Sequence, residues 1–325
     1  MFTKVIKCLS NKPLRNLLIM SVVALLMIML FLLVNLQGNL NYVLTRRVIT
    51  ICAMILVAFA AGVSTVIFQS VTNNRILSPS IMGFEALFVL IQTTALFVGG
   101  EEYFILLDPN LKFIAETMFM VVFSLVLYHW LFNIQHNNLY LILLVGIICG
   151  SLFNSLASFM QRLLNPNEFA ILQGRMFARF ASVEVPLLII SFIVIGVLAF
   201  IIWRLRYRID VIALGRNTAI TLGLSYRKNV SILLIIVSIL VSVSTALVGP
   251  MTFFGFLVAS LAYQLIGSYQ HRLLLPAAFL LGVIALVGGQ LILQHIFDMA
   301  GTLSVVINFI GGMLFLVLLL KKASL

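Results

Sequence analysis

Charge is scarce in this chain. Only 9% of its 325 residues are Asp, Glu, Lys or Arg, against roughly 25% in an ordinary soluble domain. Whole stretches such as Leu17–Val34 and Val230–Val248 carry no charge at all. That poverty excludes a soluble enzyme and any disordered or fibrous class. Cysteine is sparse too: Cys8, Cys52 and Cys149 show no paired or metal-ligand spacing. The last two fall within apolar runs and read as small buried hydrophobes. The four histidines, His129, His136, His271 and His295, are too far apart to match a metal site. No nucleophile–base pair, carboxylate dyad or G-x-x-x-x-G-K-S/T phosphate loop appears. The chain is therefore not expected to be an enzyme, to hold a metal or to need a cofactor.

What the chain does have is apolar length. It is 63% hydrophobic with a mean hydropathy of +1.21. A helix needs about 20 apolar residues to cross roughly 30 Å of hydrocarbon. Ten apolar runs meet or approach that need: 17–34, 48–68, 84–98, 113–132, 139–160, 186–203, 230–248, 251–266, 273–293 and 303–320. Turn-forming segments such as Asp108-Pro109-Asn110 and Asn165-Pro166-Asn167 separate them, and a tight Gly249-Pro250 break divides the seventh from the eighth. The run 84–98 is short, which a membrane protein tolerates where a segment packs inside protein or lines a cavity. The expected fold is all-α: one polytopic membrane domain over residues 1–325 with about ten transmembrane helices. The basic N-region Lys4, Lys7, Lys12 and Arg15 precedes a run too long for a signal core and without a small-residue cleavage site, so 17–34 reads as the first span.

The net charge of +11 would suggest a nucleic-acid partner in a soluble protein. Here its distribution explains it. With the N-terminus inside, fourteen of the 20 Lys/Arg fall in cytoplasmic segments, as basic residues in membrane proteins do. Both termini are then expected in the cytoplasm, and no nucleic acid is needed. The segment Arg204–Asn229 is expected to be the longest cytoplasmic loop. Within it Ala213, Leu214, Ala219, Leu222 and Leu224 form an apolar set, and Gly215 and Gly223 break or end short helices. A loop that only enforces topology has no use for that apolar set, whereas a short amphipathic helix offered to a cytoplasmic partner does.

Four segments in order resemble the permease subunits of bacterial ABC importers for ferric siderophores, heme and cobalamin. Arg47 leads into Ala60-Ala61-Gly62-Val63-Ser64, Gln69, Asn74, Pro79 and Gly83, similar to that family's Q-x-x-x-x-N-P-L-A-x-P-x-x-L-G run. Ala213-Leu214-Gly215 through Ala219 to Leu222-Gly223 resembles its L-G-x-x-x-A-x-x-L-G loop. Val248-Gly249-Pro250 through Phe256 resembles A-G-x-I-x-F-V-G-L, and His271 through Ala277 resembles H-R-x-L-L-P-A/L. The resemblance runs from about residue 45 to 320 and implies a cobalamin-importer-like fold. It also implies a second homologous permease around a central pathway, two cytoplasmic ATPase subunits, a substrate-binding protein and a ferric siderophore as cargo. Heme or cobalamin is the alternative cargo. Gly83-Phe84-Glu85-Ala86 replaces the family's small-residue helix start and resembles the siderophore branch in which the two permeases differ, so a heterodimer is expected.

The resemblance also assigns residues. Leu214, Gly215, Ala219, Leu222 and Gly223, within a coupling loop over 204–229, would dock the ATPase. Arg46 and Arg47 would meet carboxylates on the binding protein, although Ile49 and Thr50 replace the proline and second arginine of the family's R-x-P-R. Asn74 and Ile76, with His136 and Asn137, would narrow the cytoplasmic end of the pathway. Glu85 is expected either to serve the pathway or subunit contact, or to pair with Arg75 at the interface. Residues 165–179 suggest a short helix by the outer mouth. A proton-coupled secondary transporter, the reading from a different class, would place acids or histidines near the bilayer midplane of several helices. Glu85 and Glu116 alone, both near helix ends, argue against it.

Overall fold

The structure, a computed structural model, describes residues 12–35, 39–134, 139–297 and 301–323. All regular elements among them are helical: α1 (Lys12–Leu33), α2 (Leu40–Thr72), α3 (Phe84–Leu106), α4 (Pro109–Ile134), α5 (Leu139–Gln161), α6 (Pro166–Arg175), α7 (Val185–Ile212), α8 (Arg216–Thr221), α9 (Tyr226–Val248), α10 (Phe254–Ile266), α11 (His271–His295) and α12 (Leu303–Ala323). Eight of these are long and apolar enough to cross a membrane, judged by length and composition, and α10 and Leu303–Val317 of α12 are shorter apolar helices. Each of the ten expected spans falls on one of these ten helices. Short amphipathic α6 and α8 are the remainder.

The long helices run further than their apolar runs. The largest difference lies at 204–229, which is not one loop. Helix α7 continues through Arg204–Ile212, because its backbone bonds stay within the helix whether or not its side chains are apolar, and α9 begins at Tyr226. Only α8 and its flanking turns lie between them. Gly215 and Gly223, at φ +97° and +81°, start and stop α8 in conformations that favour glycine.

Contacts between loops define two ends of the bundle. At the α6 end, the Arg179 amide donates to Val248 O (2.8 Å) and the Ala178 amide to Ser304 Oγ (3.3 Å), so α9 finishes and α12 starts there. At the α8 end, His271 at the start of α11 reaches Asp210 of α7 and Ser70 of α2. Asn16 near the start of α1 also bonds to Leu265 O at the end of α10 (2.6 Å). The start of α1 and the end of α12 therefore share the α8 end.

Helices α2 and α9 form the hub. In α2, 78% of the membrane-length window is buried, against 22% in α7. Both are strongly apolar, so hydropathy does not separate them; small residues do. A Cβ on Gly62 would lie 3.1 Å from Ala278 O, and one on Gly282 would lie 3.1 Å from Ala58 O, so α2 and α11 pack backbone to backbone. Small residues at such interfaces are how membrane helices gain van der Waals contact, since lipid offers apolar side chains no reason to associate. Several of the hub's buried hydroxyls are satisfied within their own helices: Thr65 donates to Ala61 O and Ser238 to Leu234 O, each at 2.8 Å.

Candidate functional site

A cavity of about 960 Å³ opens along one side of the bundle between α3, α5, α12 and the Gly249–Phe253 break. Its α5 wall is a polar stripe: Ser151, Asn154, Ser155 and Ser158 recur at helical spacing on one face and are exposed. Opposite stand Ser304 and Asn308 of α12, and Arg162 lies just beyond the end of α5. Helix α5 approaches α3 very closely. A Cβ on Gly150 would lie 2.9 Å from the Gly83 Cα, and one on Gly83, itself at φ +89°, 2.8 Å from the Gly150 Cα. Only glycine permits that crossing, which sets the cavity's width.

Glu85 lies in this cavity, in the first turn of α3. Its carboxylate accepts the Met251 amide (3.1 Å) and the Thr252 hydroxyl, so it fastens α3 to the break between α9 and α10. The expected pairing with Arg75 is not formed. The chain turns back into the bundle after Thr72, carrying Glu85 away from the loop that holds Arg75, whose guanidinium lies instead over the rings of Tyr263 (4.9 Å) and Tyr269 (4.8 Å). Glu116 is buried in α4 and accepts from the Gln92 amide (2.8 Å).

At the α8 end, three helices are joined by one chain of polar contacts. The Asp210 carboxylate accepts both the His271 amide (2.8 Å) and His271 Nδ1 (2.7 Å), satisfying an amide at the start of α11. His271 Nε2 shares a hydrogen bond with the Ser70 hydroxyl (2.6 Å). One turn from Asp210 the chain enters α8. Leu214 and Leu222 there are each 61% exposed, Ala219 is fully buried, and the glycines frame them. One turn from Ser70, α2 ends on Asn73 in the left-handed region. Its loop is held by Gln69 Nε2 donating to Arg75 O (2.7 Å) and the Ile76 amide donating to Asn74 Oδ1 (3.1 Å). Asn74 and Ile76 thus occupy a fixed turn beside the α8 surface. His136 and Asn137 lie outside the described residues.

Arg46 and Arg47 do not act as a pair. Adjacent helical positions point about 100° apart, and here one faces out and the other in. Arg46 is exposed beside the Tyr42 ring (5.7 Å). Arg47 is buried, and its guanidinium donates to Phe31 O (2.8 Å), Leu32 O (3.2 Å), Val34 O (2.7 Å) and Asn35 O (3.1 Å). Those carbonyls at the end of α1 have no intrahelical partner, and a cation there is favoured by the helix dipole. Arg47 therefore closes a helix end, and of the two expected docking residues only Arg46 is free to meet another protein. Helix α6 forms where 165–179 suggested, started by Pro166 and by the Asn165 amide donating to Glu168 Oε2 (3.0 Å).

Sequence reasoning passed over the polar stripe of α5 and the Asp210–His271–Ser70 chain. The stripe was readable as Ser and Asn at i, i+3, i+4 and i+7 within an apolar run. The chain was not, because its members are 61 and 201 residues apart.

Ten apolar helices, a polar-lined cavity between them and an exposed apolar pair on a short helix at one end define a multi-spanning membrane permease. The same fold occurs in a solved chain described as an inward-facing metal-chelate type ABC transporter, with a TM-score of 0.81, 20% identity, and coverage of 94% of this chain and 99% of that one. The chain belongs to the FecCD transport family, whose pattern matches residues 14–321. It is 45% identical over 285 residues to the petrobactin import system permease protein YclO of Bacillus subtilis, covering 88% of this chain and 90% of that protein. It is also 24% identical over 296 residues to the petrobactin import system permease protein YclN of the same organism, covering 86% and 85%. Among the described residues no group of three or more His, Cys, Asp or Glu is placed to hold a metal ion.

Proposed function

We propose that this chain is the membrane-spanning subunit through which an ATP-driven importer passes a ferric siderophore across the bacterial cytoplasmic membrane, with ferric petrobactin as the first cargo to test. The observation that carries this reading is the 45% identity to YclO along nearly the whole of both chains. The second permease is a different protein. Two distinct petrobactin permeases of one organism both align with this chain, one at 45% and the other at 24%, which is the pattern a heterodimer leaves. Two ATPase subunits and a substrate-binding protein complete the machine.

The α8 end faces the cytoplasm in this reading, because Arg204, Arg206, Arg208, Arg216, Arg227 and Lys228 cluster there. Leu214 and Leu222 then dock the ATPase, and Ala219, Gly215 and Gly223 hold the helix that presents them. Closure of the ATPase moves α8, and the Asp210–His271–Ser70 chain carries that movement to the turn at Asn74 and Ile76, the cytoplasmic gate. His136 and Asn137 belong to the same gate. Arg46, at the α6 end, receives the binding protein. Expression in a strain lacking its own siderophore permeases, with the cognate ATPase, second permease and binding protein, tests the cargo. Uptake of radioactive iron from ferric petrobactin supports the reading; uptake of heme or cobalamin and not of ferric petrobactin replaces it.

A further inference from the structure

We propose that the end of α7 next to α8 binds the phosphate headgroup of an anionic phospholipid of the cytoplasmic leaflet, a partner that anchors the helix leading into α8. This rests on the reading that places the α8 end in the cytoplasm. Helix α7 packs chiefly against α2, α9 and α11, and not against α5 and α12, which border the cavity. Its outward side carries Ile189, Phe192, Ile193, Val197 and Phe200, which recur at helical spacing and are each more than half exposed. Ile195, Leu198, Ile202 and Ile209 fill the protein side instead. The outward stripe then changes character. Trp203 and Tyr207 continue it, still exposed, with Arg204, Arg206 and Arg208 around them. Aromatic rings and arginines at the end of an apolar stripe mark the level where hydrocarbon gives way to headgroups.

The guanidinium groups there are held in place but not neutralised. Arg206 lies over the rings of Trp203 (4.5 Å) and Tyr207 (4.4 Å), and it donates to Trp203 O and to Tyr207 Oη (3.2 Å). Each of its two terminal nitrogens keeps a second N–H for a phosphate oxygen. Arg204 lies over the Phe200 ring (5.1 Å). A ring contact fixes the plane of a guanidinium without consuming its charge, so less freedom is lost when a phosphate arrives. Neither arginine forms an ion pair with a carboxylate among the described residues. Asp210, one turn beyond Arg206, turns its carboxylate to His271. Arg208 is partly committed, because it donates to Asn229 Oδ1 of α9 (3.3 Å). An apolar stripe that ends in two uncompensated cations fits a molecule with acyl chains at one end and a phosphate at the other. A soluble anion would use the cations and leave the stripe uncovered. The cytoplasmic leaflet supplies such lipids, and its negative surface attracts basic segments beside a span.

The test uses the complete importer, purified in detergent and titrated with phosphatidylglycerol or phosphatidylcholine, with bound lipid counted by native mass spectrometry. Arg204→Gln with Arg206→Gln is compared with Lys228→Gln with Arg272→Gln, which removes the same charge from exposed positions at the same end. The arginine pair should weaken phosphatidylglycerol binding about fivefold per residue, roughly twenty-five-fold together. The second pair should bind like the native protein, and Arg204→Lys with Arg206→Lys should fall between, since charge is kept and the stacked fork is lost. Phosphatidylglycerol should raise the Tm of the native importer and leave that of the glutamine pair at 204 and 206 unchanged, because a ligand of the folded state stabilises it. Equal losses in the two glutamine pairs overturn the proposal, since a diffuse basic surface would then suffice. So does native affinity for phosphatidylcholine equal to that for phosphatidylglycerol, or no retained lipid at all, the result expected if another subunit covers this face. Neither measurement uses cargo, so a failure of ferric petrobactin uptake leaves the site standing. Labelling of Arg216→Cys in intact cells by a membrane-impermeant thiol reagent, above the native cysteines, overturns the cytoplasmic placement and not the lipid contact.

Discussion

The two ends of the bundle handle their polar groups in opposite ways. At the α8 end Asp210, His271 and Ser70 are joined within 2.6–2.8 Å across three helices, and even the turn that follows α2 is fastened by Gln69 and Asn74. Toward the α6 end, Ser151, Asn154, Ser158 and Arg162 border an open cavity and bond to little within the chain. A bonded chain of side chains transmits displacement because its members cannot move separately. A row of unbonded ones stays wet and can exchange partners with something passing by. One end is suited to receiving force and the other to receiving a solute, although both are built on equally apolar helices.

The largest effect that would break this contrast is expected at α8. Leu214→Glu with Leu222→Glu should reduce transport more than tenfold while Tm changes little, since exposed sites away from the core shift stability by about 0.5 kcal/mol or less. ATPase co-purification and iron uptake measure this; normal values for both would remove α8 as the docking surface. Next in size is the bonded chain. His271→Ala should destabilise the detergent-purified importer by about 1–3 kcal/mol, because Asp210 loses its bond to Nδ1 and Ser70 its bond to Nε2 while only the backbone amide of residue 271 stays on the carboxylate. Ser151→Ala, the matching change in the cavity, should leave Tm unaltered. Equal losses at both sites would erase the distinction between the ends.

Gly150→Ala probes the cavity's own rigid point. With a Cβ held 2.9 Å from the Gly83 Cα, α5 must back away, and overpacking of this kind costs about 1–3 kcal/mol. Limited proteolysis and Tm would register it; an unperturbed protein would mean the crossing is looser than its geometry indicates. The smallest effect separates two neighbouring arginines. Arg46→Glu should leave stability unchanged and weaken binding-protein association by about 0.2–1 kcal/mol per exposed pair lost, visible at low salt and faint at high salt. Arg47→Glu should lower Tm, since it places a carboxylate against four carbonyl oxygens. Titration of binding protein together with thermal unfolding distinguishes them.

Some of the site was legible before any coordinates. The glycines at 215 and 223 and the leucines at 214 and 222 marked α8, because helix punctuation and exposed apolar residues are local properties of a sequence. Asn165-Pro166 and Glu168 marked α6 for the same reason. Arg47 was misplaced, since nothing in the sequence says which of two adjacent arginines faces the end of the preceding helix. The partners of Glu85 were not legible, because the return of the chain between Thr72 and Phe84, which brings its carboxylate to Met251 and Thr252 rather than to Arg75, depends on packing against α5 and α9. Helix α7 runs past its apolar stretch to Ile212, because charged residues end an apolar run without ending the helix.

The sequence by itself determined the class of molecule, the number of apolar helices and where short helices begin and end. These follow from hydrophobic length, from charge placement and from turn-forming residues, each of which acts over a few neighbouring positions. Tertiary structure alone decided which helices form the hub, which of two arginines is buried, and which serines line a cavity rather than bond within their own helix. Lipid is as apolar as leucine, so composition does not tell a membrane helix which side to bury. That choice rests on backbone approaches such as Gly62 to Ala278 and Gly83 to Gly150, and on bonds such as Asp210 to His271, between residues that only the fold brings together.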